Sequence, residues 1–96
     1  MVLFDSPDNI GESVVRYNVC TRNREGISIS NGSDMIRGNE VSDNRMGMTV
    51  SGMANIIIEN TASHNEACGI VFISTHNNEI FLNTFLGNAI YNALSL

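Results

Sequence analysis

Apolar and polar positions recur along this chain in one register. Two asparagines five residues apart mark each repeat, and a glycine follows the second asparagine after three or four residues. Both asparagines recur in steps of 21, 21 and then 23 residues, at Asn18, Asn39, Asn60 and Asn83 and at Asn23, Asn44, Asn65 and Asn88. The glycines are Gly26, Gly47 and Gly69. A supersecondary unit that recurs every 20 to 50 residues or so is typical of a solenoid, in which each repeat buries its apolar face on its neighbours.

Apolar side chains lie at fixed distances from these markers. After the glycine they alternate with polar ones, as in Ile27-Ser28-Ile29, which is the period of a half-buried strand. Between strands we expect asparagine to form the turns, because it tolerates the left-handed αL conformation, and we expect stacked amides to form ladders. The pattern predicts three short strands per repeat, with interior columns at Val15, Ile36, Ile57 and Ile80, at Cys20, Val41, Ala62 and Phe85, at Ile27, Met48 and Ile70, and at Ile29, Val50 and Phe72.

These repeats predict an all-β fold, a right-handed single-stranded parallel β-helix of about four turns with three short strands per turn. A single domain is expected over 1–96, with repeats over 13–30, 31–51, 52–73 and 74–94. Residues 1–12 are interpreted as the end of a preceding turn, at Val2-Leu3-Phe4, followed by a loop. The longer last step is attributed to one extra residue beside Ala67-Cys68 and one within 74–77. The leucine-rich repeat has a similar period, but its leucine ladder before a single asparagine is missing here.

Charge and hydropathy narrow the possible functions. The chain has a formal net charge of −5, and all five of its basic residues are arginines that lie before residue 46. Nucleic-acid binding is not expected, because it usually requires a basic surface. No apolar run reaches the roughly 18 residues of a membrane-spanning helix, so no membrane partner is expected. Because solenoid ends normally need a cap, we expect them to be covered by further chain or by self-association.

The segment from Asn18 to Ile29, echoed in Asn39 to Val50 and Asn60 to Phe72, resembles the repeats of the pectate-lyase-like β-helix superfamily. The likeness covers about residues 13–94 and is greatest to NosD-type periplasmic proteins and mannuronan C5-epimerases. It implies an extracellular or periplasmic segment that acts on or binds a polysaccharide, as a lyase, epimerase or glycoside hydrolase if it is catalytic. The alternative is a non-catalytic structural or interaction solenoid. No catalytic residue can be transferred, because the epimerase-type signature Asp-Pro-His-Glu is absent.

The residue immediately before the second asparagine of each repeat gives the most specific candidate site, because equivalent positions on successive turns are neighbours in a β-helix. The column contains Arg22, Asp43 and His64. In a catalytic interpretation, Asp43 orients His64 as a general base near neutral pH, and Arg22 holds a sugar carboxylate. The alternative is a polar turn column with surface ion pairs, which contribute little to stability.

Two arginine pairs are candidates for substrate binding. Arg16 and Arg37 lie one repeat apart, as do Arg24 and Arg45. Stacked guanidinium groups suit the carboxylates of an anionic polymer. In the alternative interpretation, nearby carboxylates neutralise the arginines, at Glu25, Glu40 and Asp43.

No metal site or cofactor is predicted. Cys20 and Cys68 lie two turns apart, about 9 Å or more, which is beyond disulfide reach, so both are expected to be free, buried thiols. They also lack the spacing of a zinc site. The one cofactor left open is Ca²⁺, for which the acidic loop offers oxygen ligands at Asp5, Asp8, Asn9 and Glu12.

Overall fold

The computed structural model describes residues 2–3, 14–30 and 32–95, and for residues 2–3 and 74–76 it describes only the backbone. All regular structure in this part of the chain is β-strand, arranged in three parallel sheets. The first sheet contains β2 (Val14–Arg16), β5 (Met35–Arg37), β8 (Ile56–Ile58) and β11 (Glu79–Phe81). The second contains β3 (Val19–Thr21), β6 (Glu40–Ser42), β9 (Thr61–Ser63) and β12 (Thr84–Leu86). The third contains β1 (Val2–Leu3), β4 (Glu25–Ile29), β7 (Met46–Met53), β10 (Cys68–His76) and β13 (Tyr91–Ser95).

Each turn contributes one strand to each sheet, so the fold is a β-solenoid of about four turns, as the repeat predicts. The strand predicted for a preceding turn is confirmed over Val2–Leu3, which pairs in parallel with Ser28 and Ile29 of β4. Phe4 and the acidic loop that was considered for Ca²⁺ lie outside the described residues. No described helix is long and apolar enough to cross a membrane.

Strand register places equivalent repeat positions side by side. Ile36 pairs with Val15 on one neighbouring strand and with Ile57 on the other, at the predicted step of 21 residues. The step becomes 22 at Cys68, which pairs with Met46, and 23 at His76, which pairs with Met53 across a bulge. The two extra residues therefore lie beside Ala67-Cys68 and within 74–76, where the sequence predicts them.

The predicted interior columns form the core except in the last turn, where Ile80 is 44% exposed and Phe85 is only partly buried. Ile36, Ile57 and Ile70 are at most 1% exposed, and the strongly buried positions belong to one continuous cluster along the axis. Full burial of such a side chain contributes about 1.5–3 kcal/mol. Both cysteines are free and buried, as expected, although Cys68 lies outside this cluster.

Asparagine ladders run beside the apolar core, and the amide of Asn39 shows how they are hydrogen-bonded. Oδ1 of Asn39 accepts the backbone N–H of Asn18 and its Nδ2 group, both at 3.0 Å. Nδ2 of Asn39 donates to the carbonyl oxygen of Val15 and to Oδ1 of Asn60, both at 2.9 Å. These four bonds use the full donor and acceptor capacity of the amide. Burial of the polar side chain therefore carries little desolvation penalty.

A third ladder was not predicted from the sequence. It runs along the corner that precedes the first sheet, where the backbone N–H of Asp34 donates to Oδ1 of Asn55, and that of Asn55 donates to Oδ1 of Asn78. The steps of 21 and 23 residues match those of the other ladders, but an aspartate occupies the first position, so only Asn55 and Asn78 mark the column.

The predicted turn chemistry is wrong in one respect. The ladder asparagines do not adopt αL; the residue immediately before each ladder position does, at Tyr17, Gly38, Glu59 and Leu82, at Arg22, Asp43, His64 and Gly87, and at Ser33, Ala54 and Asn77. That αL residue turns the chain so that the next side chain points inward. An L-residue in αL costs roughly 1–2 kcal/mol, which the ladder hydrogen bonds offset.

Candidate functional site

The column proposed for catalysis lies on adjacent turns at the end of the second sheet. Arg22, Asp43 and His64 each occupy the αL turn position, with φ angles of 60°, 57° and 52°. The backbone N–H of Arg22 donates to the carbonyl oxygen of Asp43 at 3.2 Å, and the N–H of His64 donates to that of Leu86 at 2.9 Å. Stacking of the turns therefore brings the three residues together, as the repeat predicts.

Their side chains, however, do not form a linked group. All three are exposed, and within the described residues no hydrogen bond or ion pair joins any two of them. The imidazole of His64 lies over Gly87 on the following turn, where an added Cβ would be 3.2 Å from Cδ2 of His64. Asp43 is on the opposite side of His64, on the preceding turn, so it does not hold the imidazole for general-base catalysis. The catalytic roles stay a prediction.

The two arginine pairs lie on different parts of the surface. Arg16 and Arg37 are register partners on the outer side of the first sheet. Arg16 lies 6.0 Å above the ring of Tyr17, and Nε of Arg37 lies 3.5 Å from Oε2 of Glu59. Both partners of this ion pair are nearly half exposed, so it adds little to stability. Glu59 is not among the carboxylates that the sequence suggested as neutralising partners.

Arg24 and Arg45 lie at the corner between the second and third sheets. They are on adjacent turns, since the backbone N–H of Met46 donates to the carbonyl oxygen of Arg24 at 3.0 Å. Both side chains are exposed, and neither makes a hydrogen bond or ion pair within the described part of the chain. This pair therefore differs from Arg37, whose charge already has a partner.

Hydroxyl side chains beside these residues were missed by the sequence reasoning. The outward positions of the second sheet form two columns, of which the first contains Thr21, Ser42, Ser63 and the exposed Leu86. The repeat could have revealed these hydroxyl columns, because the residues on either side of an interior strand position must face outward. The second column contains Val19, Glu40, Thr61 and Thr84. The second sheet thus presents a polar lateral surface that borders the Arg22, Asp43 and His64 column.

A metal centre is not formed by the described residues. Their histidine, cysteine, aspartate and glutamate side chains include no group of three or more that is suited to hold a metal ion. His64, whose side chain is described, is exposed at a turn, and the two cysteines belong to different strands and different columns. The described histidine, cysteine, aspartate and glutamate side chains therefore do not assemble a metal centre.

Comparison with known proteins adds one finding. Neither the curated proteins nor the solved structures contain a match to this chain. A protein-family model described as "Periplasmic copper-binding protein (NosD)" matches residues 2–95. The match spans nearly the whole chain and covers all of the strands from β1 to β13. The chain therefore belongs to the NosD family of parallel β-helix repeat proteins.

Proposed function

We propose that this chain is a non-catalytic β-helix module that binds an acidic polysaccharide along one lateral face, in the periplasm as the family description suggests. The second-sheet face comprises the outward hydroxyl side chains, the adjacent turn column and the corner arginines, at Thr21, Ser42, Ser63, Thr61 and Thr84, at Arg22, Asp43 and His64, and at Arg24 and Arg45. Exposed Val19, Glu40 and Leu86 occupy the remaining outward positions of the sheet. Within the described residues none of these side chains makes a hydrogen bond or ion pair. Their hydrogen-bonding capacity is therefore available to a ligand, and this observation carries the proposal.

The geometry of the face suits an extended polymer. Its columns follow the solenoid axis, with successive turns about 4.8 Å apart, so equivalent groups recur at a regular interval. The hydroxyls of Ser42 and Ser63 can both donate and accept hydrogen bonds, as sugar hydroxyls do. A chain of sugars aligned with the axis would meet the same types of group on each successive turn.

The corner arginines favour an acidic polymer over a neutral one. The Arg24 and Arg45 guanidinium groups are exposed and, within the described residues, unpaired, and a guanidinium group can bind a carboxylate through two parallel hydrogen bonds. Sugar carboxylates would thus be bound at this corner, while the hydroxyl columns contact the rest of the chain.

Binding rather than catalysis is proposed because of the arrangement around His64. A general base must be held within reach of the proton that it abstracts, usually by a third group that orients it. His64 lies against Gly87 instead, and Asp43 makes no contact that would orient it.

Retention of the purified chain on a uronate oligomer tests the proposal. Arg24→Gln/Arg45→Gln should weaken binding at least about tenfold, because each charge-assisted hydrogen bond contributes about 1.5–3 kcal/mol. The matched control is Arg16→Gln/Arg37→Gln, which removes the same charge from the other arginine pair and should leave retention unchanged. Equal losses in both variants, or no retention of the wild-type chain, would contradict the proposal. Release of unsaturated uronate by the wild-type chain would show catalysis instead.

A further inference from the structure

The outer side of the first sheet is unusually apolar. Outward positions of its four strands hold five large apolar side chains, at Val14, Met35, Ile56, Ile58 and Phe81, together with Arg16, Arg37 and Glu79. We call these eight residues the first-sheet face. The second sheet, built by the same repeat, carries mainly hydroxyl groups at its equivalent positions. The difference between the two sheets is therefore not a requirement of the fold.

Exposure of this face leaves apolar area in water. Val14 is 56% exposed and Phe81 45%, while Met35, Ile56 and Ile58 are half-buried between their neighbours on adjacent strands. A contiguous apolar patch with a polar rim marks an interaction site more often than does a scatter of single apolar residues.

Charge along the first-sheet face is graded. Its first two strands carry Arg16 and Arg37, whereas Glu59, which directly follows β8, and Glu79 on β11 lie beside the last two. The middle of the face, at Met35 and Ile56, is uncharged. Arg37 and Glu59 are paired with each other within the chain. Within the described residues Arg16 therefore supplies the unpaired charge of the basic half of the face, and Glu79 that of the acidic half, with an apolar centre between them.

We infer that the first-sheet face binds a second copy of this chain, with the two solenoids antiparallel. A two-fold axis that lies in the interface and runs parallel to the strands places the basic half of each face opposite the acidic half of the other. In this arrangement Met35 faces Ile56 of the second copy, and Arg16 faces Phe81 of the second copy and reaches its Glu79. Each contact occurs twice, as in any isologous interface.

A shallow cavity beside the face supports this orientation. It has a volume of about 150 Å³ and is lined by Ala54, Asn55, Ile56, Asn77 and Glu79. The same two-fold axis places Val14 of the second copy opposite Glu79, at the mouth of this cavity. The exposed Val14 side chain of each copy would thus be buried against Ile56 and Ala54 of the other.

The first-sheet face is small for a protein–protein interface. Four three-residue strands about 4.8 Å apart give a face that is well below the roughly 800 Å² per partner of a standard interface. The dimer is therefore expected to be weak.

Sedimentation velocity of the full chain up to about 1 mM tests the inference, and a charge swap tests the orientation. Arg16→Glu and Glu79→Arg should each weaken dimerisation at least tenfold, because each substitution puts like charges opposite one another at both symmetric contacts. The double variant Arg16→Glu/Glu79→Arg should restore the wild-type dissociation constant to within threefold. A wild-type chain that stays monomeric, or a double variant no better than the single ones, would overturn the inference.

A second pair of variants separates this face from other modes of association. Ile56→Glu should abolish the dimer, since it places a charge at the apolar centre, whereas Thr61→Glu, at the equivalent outward position on the second sheet, should not. End-to-end stacking would instead give species larger than dimers that are insensitive to Ile56→Glu, and would overturn the inference. Arg16→Glu should leave uronate retention intact, so the failure of either proposal can be recognised independently.

Discussion

Replacement of Asn60 with aspartate is expected to reduce the free energy of unfolding by about 3–5 kcal/mol, out of the 5–15 kcal/mol typical of a folded domain. Asn60 is 1% exposed, and its Nδ2 group donates to the carbonyl oxygen of Ile36 at 2.8 Å and to Oδ1 of Asn83 at 3.0 Å. A carboxylate has the same shape but no donor, so it would leave both acceptors unsatisfied and would place a buried charge next to them.

Thermal unfolding followed by circular dichroism measures this effect, which should lower Tm by about 20 °C. The difference from the wild type should shrink at low pH. Burial raises the pKa of the introduced carboxyl in the folded state, so the variant is most stable where that carboxyl is protonated and loses stability as pH rises. Asn92→Asp is the matched control, because exposed Asn92 only accepts a hydrogen bond from Asn88 and should tolerate the change. A Tm for Asn60→Asp within a few degrees of wild type would show that the ladder is not essential.

Replacement of Gly47 with alanine should destabilise the fold by at least about 3 kcal/mol. An added Cβ would lie only 2.3 Å from the carbonyl oxygen of Gly69 and 2.9 Å from Nδ2 of Asn65. The first contact is with backbone on the next turn, which cannot move without breaking the hydrogen bonds between turns. The repeated glycine is thus required by the close approach of successive turns and not by an unusual φ angle.

Gly87→Asn is the control for this prediction and should cost less than about 1 kcal/mol. Gly87 has a φ of 67°, but Arg22, Asp43 and His64 occupy the same αL position on the other turns. Its added Cβ would contact only the exposed side chain of His64. Urea unfolding of both variants provides the comparison. Equal stability of Gly47→Ala and Gly87→Asn would show that the turns are packed less closely than the structure indicates.

The repeat predicts the fold well because two kinds of residue are under strict constraint. Interior positions such as Ile57 carry apolar side chains, and the two predicted ladders carry an asparagine in every turn, as at Asn60. Both constraints act in every turn, so they reveal the strands, the register and even the places of the extra residues. The third ladder was not predicted, because its first position is an aspartate, Asp34.

The candidate site could be predicted only as far as Cα positions. The repeat places Asp43 beside His64, but it does not show that the imidazole turns toward Gly87. The repeat relates only residues of the same column. It therefore does not predict the ion pair between Arg37 and Glu59, because Glu59 belongs to a neighbouring column. The αL positions could not be predicted from the sequence either, since Tyr17 and Glu59 have no intrinsic preference for that conformation.

The most direct test of polysaccharide binding is an NMR titration of the backbone amides with a uronate oligomer. The protein concentration should be below the dissociation constant of the inferred dimer. Perturbed amides should map to the second-sheet face, including Ser42, Ser63 and His64, and to the corner at Arg45. The amides of Met35 and Ile56 on the first-sheet face should not shift. Perturbations centred on the first-sheet face, or no perturbation at a saturating oligomer concentration, would contradict the proposed function.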